Sequence, residues 1–325
     1  MYKRQVVVTD KRCKACEVAG LQSNLRSRFF PKLTVRTVDY NSPEGKKLYA
    51  AHKMKLLPVW LLDKGVEKAE KYSKVKRWLV EDGDYYKLRV PARFDPTAEI
   101  CDNKKDDTGN GKIDCADQTC KAKLVCRSEK KNQVEVFVMS QCPYGVKAID
   151  AMKEVLQNFG KSIKFDVHYI ADEVPAGKKC PRGRDAYMGF CALHGKSEVE
   201  ENIRQLCAKK YYGNNNKYLD YIWCRNKNYR SNEWKACAKE TGINVAKIEK
   251  CSTSDEGKKL HSEDIKIAKA LGASGSPTWL ANNRYKFSGI AANAIKQNIC
   301  THNKSLKNCD KKLSNTKAPA GACGS

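Results

Sequence analysis

The chain has 325 residues, enough for two ordinary domains with connectors. Its 41% hydrophobic and 30% charged residues exclude a disordered polymer, and the lack of any run of 18 apolar residues excludes a membrane-spanning helix. The net charge of +25 comes from 62 Lys and Arg against 37 Asp and Glu, with no basic block interleaved with aromatics, so no nucleic-acid partner is expected. Sixteen cysteines accompany only five histidines, and only Cys13 and Cys16 form a C-x-x-C. The other cysteines are scattered at irregular spacings, which reads as a disulfide framework made in an oxidising, extracytoplasmic compartment (periplasmic, secreted or lumenal). The apolar run at residues 6–8 is too short for a signal-peptide core, so an export signal is expected to be absent from this chain.

Residues 5–9 read as a strand leading into Asp10-Lys11-Arg12-Cys13-Lys14-Ala15-Cys16. Residues 17–29 read as a helix, with Val18, Leu21 and Leu25 spaced three and four apart. A second strand follows at 33–38, and Ser42-Pro43-Glu44 has the cap-then-proline pattern of a helix start carried on through 46–53. Residues 56–62 form a third strand with Pro58 near its start, and Asp63-Lys64-Gly65 is expected to turn it back as a hairpin. Strand, C-x-x-C at a helix start, strand, helix, X-Pro-strand hairpin, helix resembles the order of a thioredoxin fold. That domain is expected to span 1–95.

Residues 96–130 change character. Cys101, Cys115, Cys120 and Cys126 crowd a polar stretch with few apolar residues, which needs staples to hold a shape. Within it, Asp106, Thr108, Asn110, Lys112, Asp114 and Asp117 fall at positions 1, 3, 5, 7, 9 and 12 of a loop resembling EF-hand calcium loops. The alternatives are a calcium-binding connector and an acidic, disulfide-pinned turn. Residues 131–303 repeat the first scheme at larger scale. A strand at 134–138 runs into Ser140-Gln141-Cys142-Pro143-Tyr144-Gly145, then come a helix, a strand at 163–170, a long helical insertion, the X-Pro-strand at Ser276-Pro277, a hairpin and a closing helix ending at Cys300. Residues 304–325 read as a tail.

The sharpest chemical signal is Cys13–Cys16. Disulfide exchange needs an accessible thiolate, and a helix N-terminus stabilises one through its free N–H groups and dipole. Cys13 is expected at such an end, with Arg12 and Lys14 adding positive potential; Cys16, one turn on, would resolve the mixed disulfide. A structural disulfide or half a zinc site is the other reading. Leu57, Pro58, Ser276 and Pro277 are expected to shape substrate grooves: in a thioredoxin fold the X-Pro bond is cis and the preceding residue offers its backbone to an extended peptide. Cys142 occupies the equivalent junction in the second domain with Gly145 where a resolving cysteine should be. It is either a third catalytic cysteine working with an outside thiol or a structural one.

Cys191-Ala192-Leu193-His194-Gly195-Lys196-Ser197-Glu198-Val199-Glu200-Glu201-Asn202, followed by Cys207, resembles the signature C-Q-H-G-x-x-E-C-x-x-N-x-x-x-x-C. That signature marks the gamma-interferon-inducible lysosomal thiol reductase family. The resemblance covers residues 133–303, whose scheme is also similar to DsbA-like oxidoreductases. It implies a thioredoxin fold with thiol reductase or disulfide oxidoreductase activity. The first Cys carries one extra residue after it, Val199 replaces the internal Cys, and the family's C-x-x-C falls on Cys142 and Gly145, a departure at the catalytic pair itself. His194 is expected to be structural.

The fold class is therefore α/β, with two thioredoxin-like domains joined by a cysteine-rich connector. The expected function is a thiol–disulfide oxidoreductase or isomerase acting on cysteine-containing exported proteins, with a redox partner and no catalytic cofactor. The alternative is a non-enzymatic substrate-binding or chaperone-like protein. Nine cysteines from Cys180 to Cys323 are an odd number, so they close only when Cys142 joins them. The expected arrangement leaves Cys142 a free, solvent-reachable thiol facing Pro277, with Cys323 unpaired or loosely paired.

Overall fold

The computed structural model describes residues 5–13, 16–214, 216–315 and 323–324. Two compact units divide the chain, Met1–Cys120 and Lys121–Ser325. Each is an α/β unit built on its own mixed sheet.

The first unit runs β1 (Gln5–Thr9), α1 (Ala19–Arg28), β2 (Val35–Asp39), α2 (Pro43–Ala51), β3 (Val59–Asp63), a short α3 (Tyr72–Val75), β4 (Leu79–Asp82) and β5 (Tyr85–Leu88). The sheet order is β2-β1-β3-β5-β4, with β1 and β2 parallel and the other pairs antiparallel. An unbroken valine run suits β1 because both of its faces are covered. Val7 packs with Leu25, Phe30, Leu33 and Trp60, whereas Val6 and Val8 pack on the opposite face with Val38, Met54 and Leu61. At the start of α2, the Ser42 hydroxyl accepts from the Gly45 N–H and Pro43 follows at once.

Two expectations fail after β3. Asp63 does not close a hairpin; its carboxylate accepts the Gly65 N–H and starts a 3-10 helix over Lys64–Lys68. The partner of β3 is β5, which arrives after a β4–β5 hairpin closed by the two-residue loop Gly83-Asp84. Gly83 takes positive φ (61°) there. No α-helix follows β5 among the described residues of this unit; only 3-10 turns at Asp114–Ala116 and Gln118–Cys120 do.

The second unit contains β6 (Gln133–Val138), α4 (Pro143–Phe159), β7 (Lys164–Tyr169), the small pair β8 (Asp172–Glu173) and β9 (Phe190–Cys191), then α5 (Lys196–Tyr212), α6 (Lys217–Asn226), α7 (Trp234–Glu240), α8 (Val245–Ser252) and α9 (Asp255–Leu271), and finally β10 (Thr278–Ala281), β11 (Tyr285–Phe287) and α10 (Ala292–His302). Its main sheet has the order β11-β10-β6-β7, with β6 and β7 parallel. Val134, Val136 and Val138 face the large core with Ile149, Met152 and Val155 of α4; Phe137 faces the other way, toward Ala268 and Leu271 of α9. Cys207–Cys251 ties α5 to α8, and Cys224–Cys237 ties α6 to α7. Residues 304–315 are not a loose tail. Cys300–Cys309 pins them, Leu306 and Leu313 enter the core, and Lys296 Nζ donates to the carbonyls of Cys309 and Lys311. Among the described residues, no helix is long and apolar enough to cross a membrane.

Candidate functional site

In the first unit, Cys13 and Cys16 are joined as a disulfide (Cα–Cα 5.4 Å) beside the cis Leu57–Pro58 bond. Cys16 Sγ lies 3.7 Å from Leu57 O. Both cysteines line a cleft of about 870 Å3 together with Arg12, Leu57, Pro58 and Phe94. Arg93 and Lys105 also reach its wall, as do Asp102 and Asp107.

The surroundings of Cys13 differ from expectation. Residues 16–18 are not helical, α1 begins at Ala19, and the Glu17 carboxylate accepts the N–H groups of Ala19 and Gly20. A negative side chain, not a cysteine sulfur, therefore occupies the positive end of the helix. The Arg12 guanidinium is engaged as well. It binds Asp10 (2.7 Å), Asp107 (3.1 Å) and the Pro96 carbonyl, and these hydrogen bonds, Asp10 first, outweigh burial and hold its pKa above the ordinary value. Lys14, the other expected source of positive charge, lies outside the described residues. Nor is the Leu57 backbone open to a peptide: its N–H donates to Phe94 O (2.8 Å) and its carbonyl accepts from Phe94 N (3.3 Å).

The second unit carries the same constellation in altered form. Cys142 immediately precedes Pro143, the first residue of α4, and its Sγ lies 3.5 Å from Ser276 O at the cis Ser276–Pro277 bond. It is neither free nor solvent-reachable. Cys142 is fully buried and disulfide-bonded to Cys323 (Cα–Cα 6.0 Å), so the odd set of nine cysteines closes through Cys142. Cys323 in turn pairs its backbone with Ser276, N to O at 3.0 Å and O to N at 2.8 Å. The physical reason is local. The carbonyl and N–H of Ser276 form an open edge, and the Cys323 backbone fills it while delivering a sulfur to Cys142.

Gly145 also has a cause. A Cβ there would overlap Ser276 Oγ and lie 3.2 Å from Val138 Cβ, and that hydroxyl is held in place by the Met139 N–H (3.0 Å). The space a resolving cysteine would use is taken by Ser276.

Sequence reasoning missed what Glu198 and Asn202 do. Both are fully buried, one turn apart on α5, and both hold the loop that presents Cys142. Glu198 Oε1 accepts the Gln141 N–H (2.9 Å) and Asn202 Oδ1 accepts the Ser140 N–H (3.3 Å). His194 donates its backbone N–H to Glu198 Oε2 (3.0 Å) and its Nδ1 meets Oε1 (2.9 Å), so it orients the glutamate. The matched signature positions were the signal that could have found this role. Of the signature cysteines, Cys191 pairs with Cys180, and Cys207 with Cys251. All sixteen cysteines are disulfide-bonded.

In the 106–117 loop the polar side chains are engaged in hydrogen bonds to nearby N–H groups and to one another. Asp106 accepts the N–H groups of Gly109, Asn110 and Gly111, and Gly111 leads the hydrogen bonds that lower its carboxyl pKa. Thr108 donates to the same carboxylate, while Lys112 donates its backbone N–H to Asn110 Oδ1. Asp114 turns to the N–H groups of Asn103 and Lys104, and Asp117 receives Asn110 Nδ2 and Thr119. Among the described residues, no three acidic side chains of this loop bring oxygens within 4.8 Å of one another.

No curated protein matches the chain. Among solved structures it is similar to the thiol-disulfide exchange protein alpha-DsbA2 from Wolbachia pipientis, with 17% identity and a TM-score of 0.38, over 54% of this chain and 84% of that one. It is also similar to oxidised BdbD from Bacillus subtilis, with 15% identity and a TM-score of 0.40, over 53% and 88%. A thioredoxin-like oxidoreductase from Silicibacter pomeroyi gives 15%, 0.36, 52% and 84%. Residues 133–241, from β6 to the end of α7, match the family model of the gamma interferon inducible lysosomal thiol reductases, a family of thiol–disulfide oxidoreductases.

Proposed function

We propose that the chain is a thiol–disulfide oxidoreductase or isomerase built from two thioredoxin-like domains, acting on cysteine-containing exported proteins in an oxidising compartment. One observation carries the reading: Cys13, Cys16, Leu57 and cis-Pro58 line a single 870 Å3 cleft. A C-x-x-C disulfide with access for a second sulfur is what exchange requires. A redox partner's dithiol first reduces the Cys13–Cys16 disulfide. The Cys13 thiolate then attacks a substrate disulfide and expels one substrate thiolate, and Cys16 attacks Cys13 Sγ, re-forming the Cys13–Cys16 bond and expelling the other. The Leu57 backbone becomes available to an extended substrate when Phe94 gives up its two hydrogen bonds.

The test is insulin reduction by the full chain in a Cys142→Ser background, so that only the first unit is read. Cys13→Ala should abolish turnover, and Cys16→Ala should accumulate mixed disulfides through Cys13. Undiminished turnover in Cys13→Ala refutes the assignment. Background rates in the parent favour the rival reading, a protein that binds peptides without exchanging disulfides. Calcium in the 106–117 loop is a separate proposal supported by the sequence pattern. A calcium-dependent rise in Tm, lost in Asp106→Ala, is its test, and an unchanged Tm at millimolar calcium rejects it.

A further inference from the structure

In each unit a segment of the same chain docks on the residue that precedes the cis-proline. In the first unit the docked residue is Phe94 on Leu57, and the neighbouring C-x-x-C is complete. In the second it is Cys323 on Ser276, and the C-x-x-C has lost its second cysteine to Gly145. The docked segment carries a sulfur in the unit whose own motif lacks one. Sterics explain why the cysteine cannot be restored at 145, since Ser276 Oγ fills that volume.

The docked position is specified by more than the disulfide. Two backbone hydrogen bonds tie Cys323 to Ser276. Gly324 follows with φ +80°, and a Cβ there would overlap Ser274 O and lie 2.9 Å from Met139 Cε, so only glycine permits this approach. Cys142 is buried among Met139, Ile170 and Leu271, while Cys323 is half-buried. Gly324 also borders a cleft of about 690 Å3 that Met139, Ala192 and Ser274 help to line.

We propose that Cys323 is the resolving thiol of the second unit, carried on the C-terminal segment and docked as an internal substitute for a substrate strand. The assignment rests on the oxidoreductase reading above. An incoming dithiol attacks the reachable sulfur, Cys323 Sγ, and expels the Cys142 thiolate. The dithiol's second thiolate then attacks its own partner sulfur, releasing the Cys323 thiolate and leaving the dithiol oxidised. Departure of the segment opens the Ser276 edge and Cys142. The Cys142 thiolate attacks a substrate disulfide, expels one substrate thiolate and holds the other half as a mixed disulfide. Cys323 attacks Cys142 Sγ, re-forms the internal disulfide and expels the second thiolate. Two electrons pass from the dithiol to the substrate. Because Cys323 belongs to the same chain, its local concentration exceeds that of a dilute external thiol.

The test uses the full chain with Cys13→Ser/Cys16→Ser, which silences the first unit, a fluorescence-quenched peptide disulfide as substrate, and dithiothreitol at a tenth millimolar or so. The parent should turn over. Adding Cys323→Ser should slow turnover by about tenfold and accumulate a peptide adduct on Cys142, seen as a mass increase. Raising dithiothreitol to several millimolar should restore the rate. Adding Cys142→Ser should abolish both turnover and adduct. Turnover in Cys323→Ser equal to the parent, no turnover in the parent, or a Cys142–Cys323 bond that dithiothreitol leaves intact in the folded chain would each overturn the proposal. Failure of the first unit shows instead in the Cys142→Ser background, so the two readings fail separately.

Discussion

Replacing Glu198 by alanine should loosen the segment that presents Cys142, and the size of the effect follows from its partners. The carboxylate is fully buried and accepts the Gln141 N–H, the His194 N–H and the His194 ring. A buried donor left without an acceptor costs about 1–3 kcal/mol. Gln141 is buried and would bear that loss in full, whereas half-buried His194 can recover part of it from water. The expected loss is about 2–4 kcal/mol for Glu198→Ala. Glu198→Gln keeps one acceptor oxygen and should cost about half as much. Urea denaturation of the oxidised protein measures this through the midpoint at unchanged slope. A second readout is the rate at which dithiothreitol opens Cys142–Cys323, which should rise in the alanine variant. An alanine variant within about 0.5 kcal/mol of the parent would refute the role assigned to the signature glutamate.

Stability should peak near pH 6.5, set by two buried histidines of the second unit. Burial pushes His261, whose ring packs edge-on against Phe190, down to about 4 from an ordinary 6.5. Its contribution is intact above pH 6.5 and is lost as pH falls toward 4, by up to about 3 kcal/mol. Burial also opposes charge on His168, but the hydrogen bond to Asp264 and the nearby Glu135 carboxylate prevail and raise it to about 9. Its contribution is intact below pH 6.5 and is lost as pH rises through 9, by a similar amount. Melting curves across pH should show both limbs. His261→Leu should flatten the acid limb and His168→Gln the alkaline one, and unchanged limbs reject the assignments. Gly145→Ala, a substitution that would stabilise an unobstructed helix, should instead cost about 1–3 kcal/mol through the Ser276 clash. Ser276→Ala should recover much of the loss, and a more stable Gly145→Ala variant would contradict the steric account.

Local signals in the sequence placed β1, α1, β2, α2 and β3 near their observed bounds, because valine runs, the Ser42-Pro43 cap and the helical spacing act within a few residues. Both X-Pro bonds and the Cys142 strand-to-helix junction were legible for the same reason, whereas Cys13 lies six residues before α1. What failed was whatever depended on distant partners. Arg12 is next to Cys13 in sequence, yet its charge is directed to Asp10, a local partner the reading did not weigh, and to Asp107, 95 residues away. Phe94 closes the Leu57 edge, and nothing in its neighbourhood marks it for that place. Cys323 was expected unpaired or loosely paired because only small residues flank it; its partner lies 181 residues upstream. The Asp63-Lys64-Gly65 turn instead starts a 3-10 helix, and the hairpin closes at Gly83-Asp84, where Gly83 takes positive φ.

The claim that Cys13–Cys16 is an exchange site is tested most directly by graded reduction of the folded chain with dithiothreitol, followed by differential alkylation and mass-spectrometric mapping of every cysteine. The account predicts that Cys13 and Cys16 are labelled at the lowest reductant, with Cys142 and Cys323 next. Cys207–Cys251, buried between α5 and α8, should stay closed until the protein unfolds. A Cys13–Cys16 disulfide that opens only together with Cys207–Cys251 would contradict it.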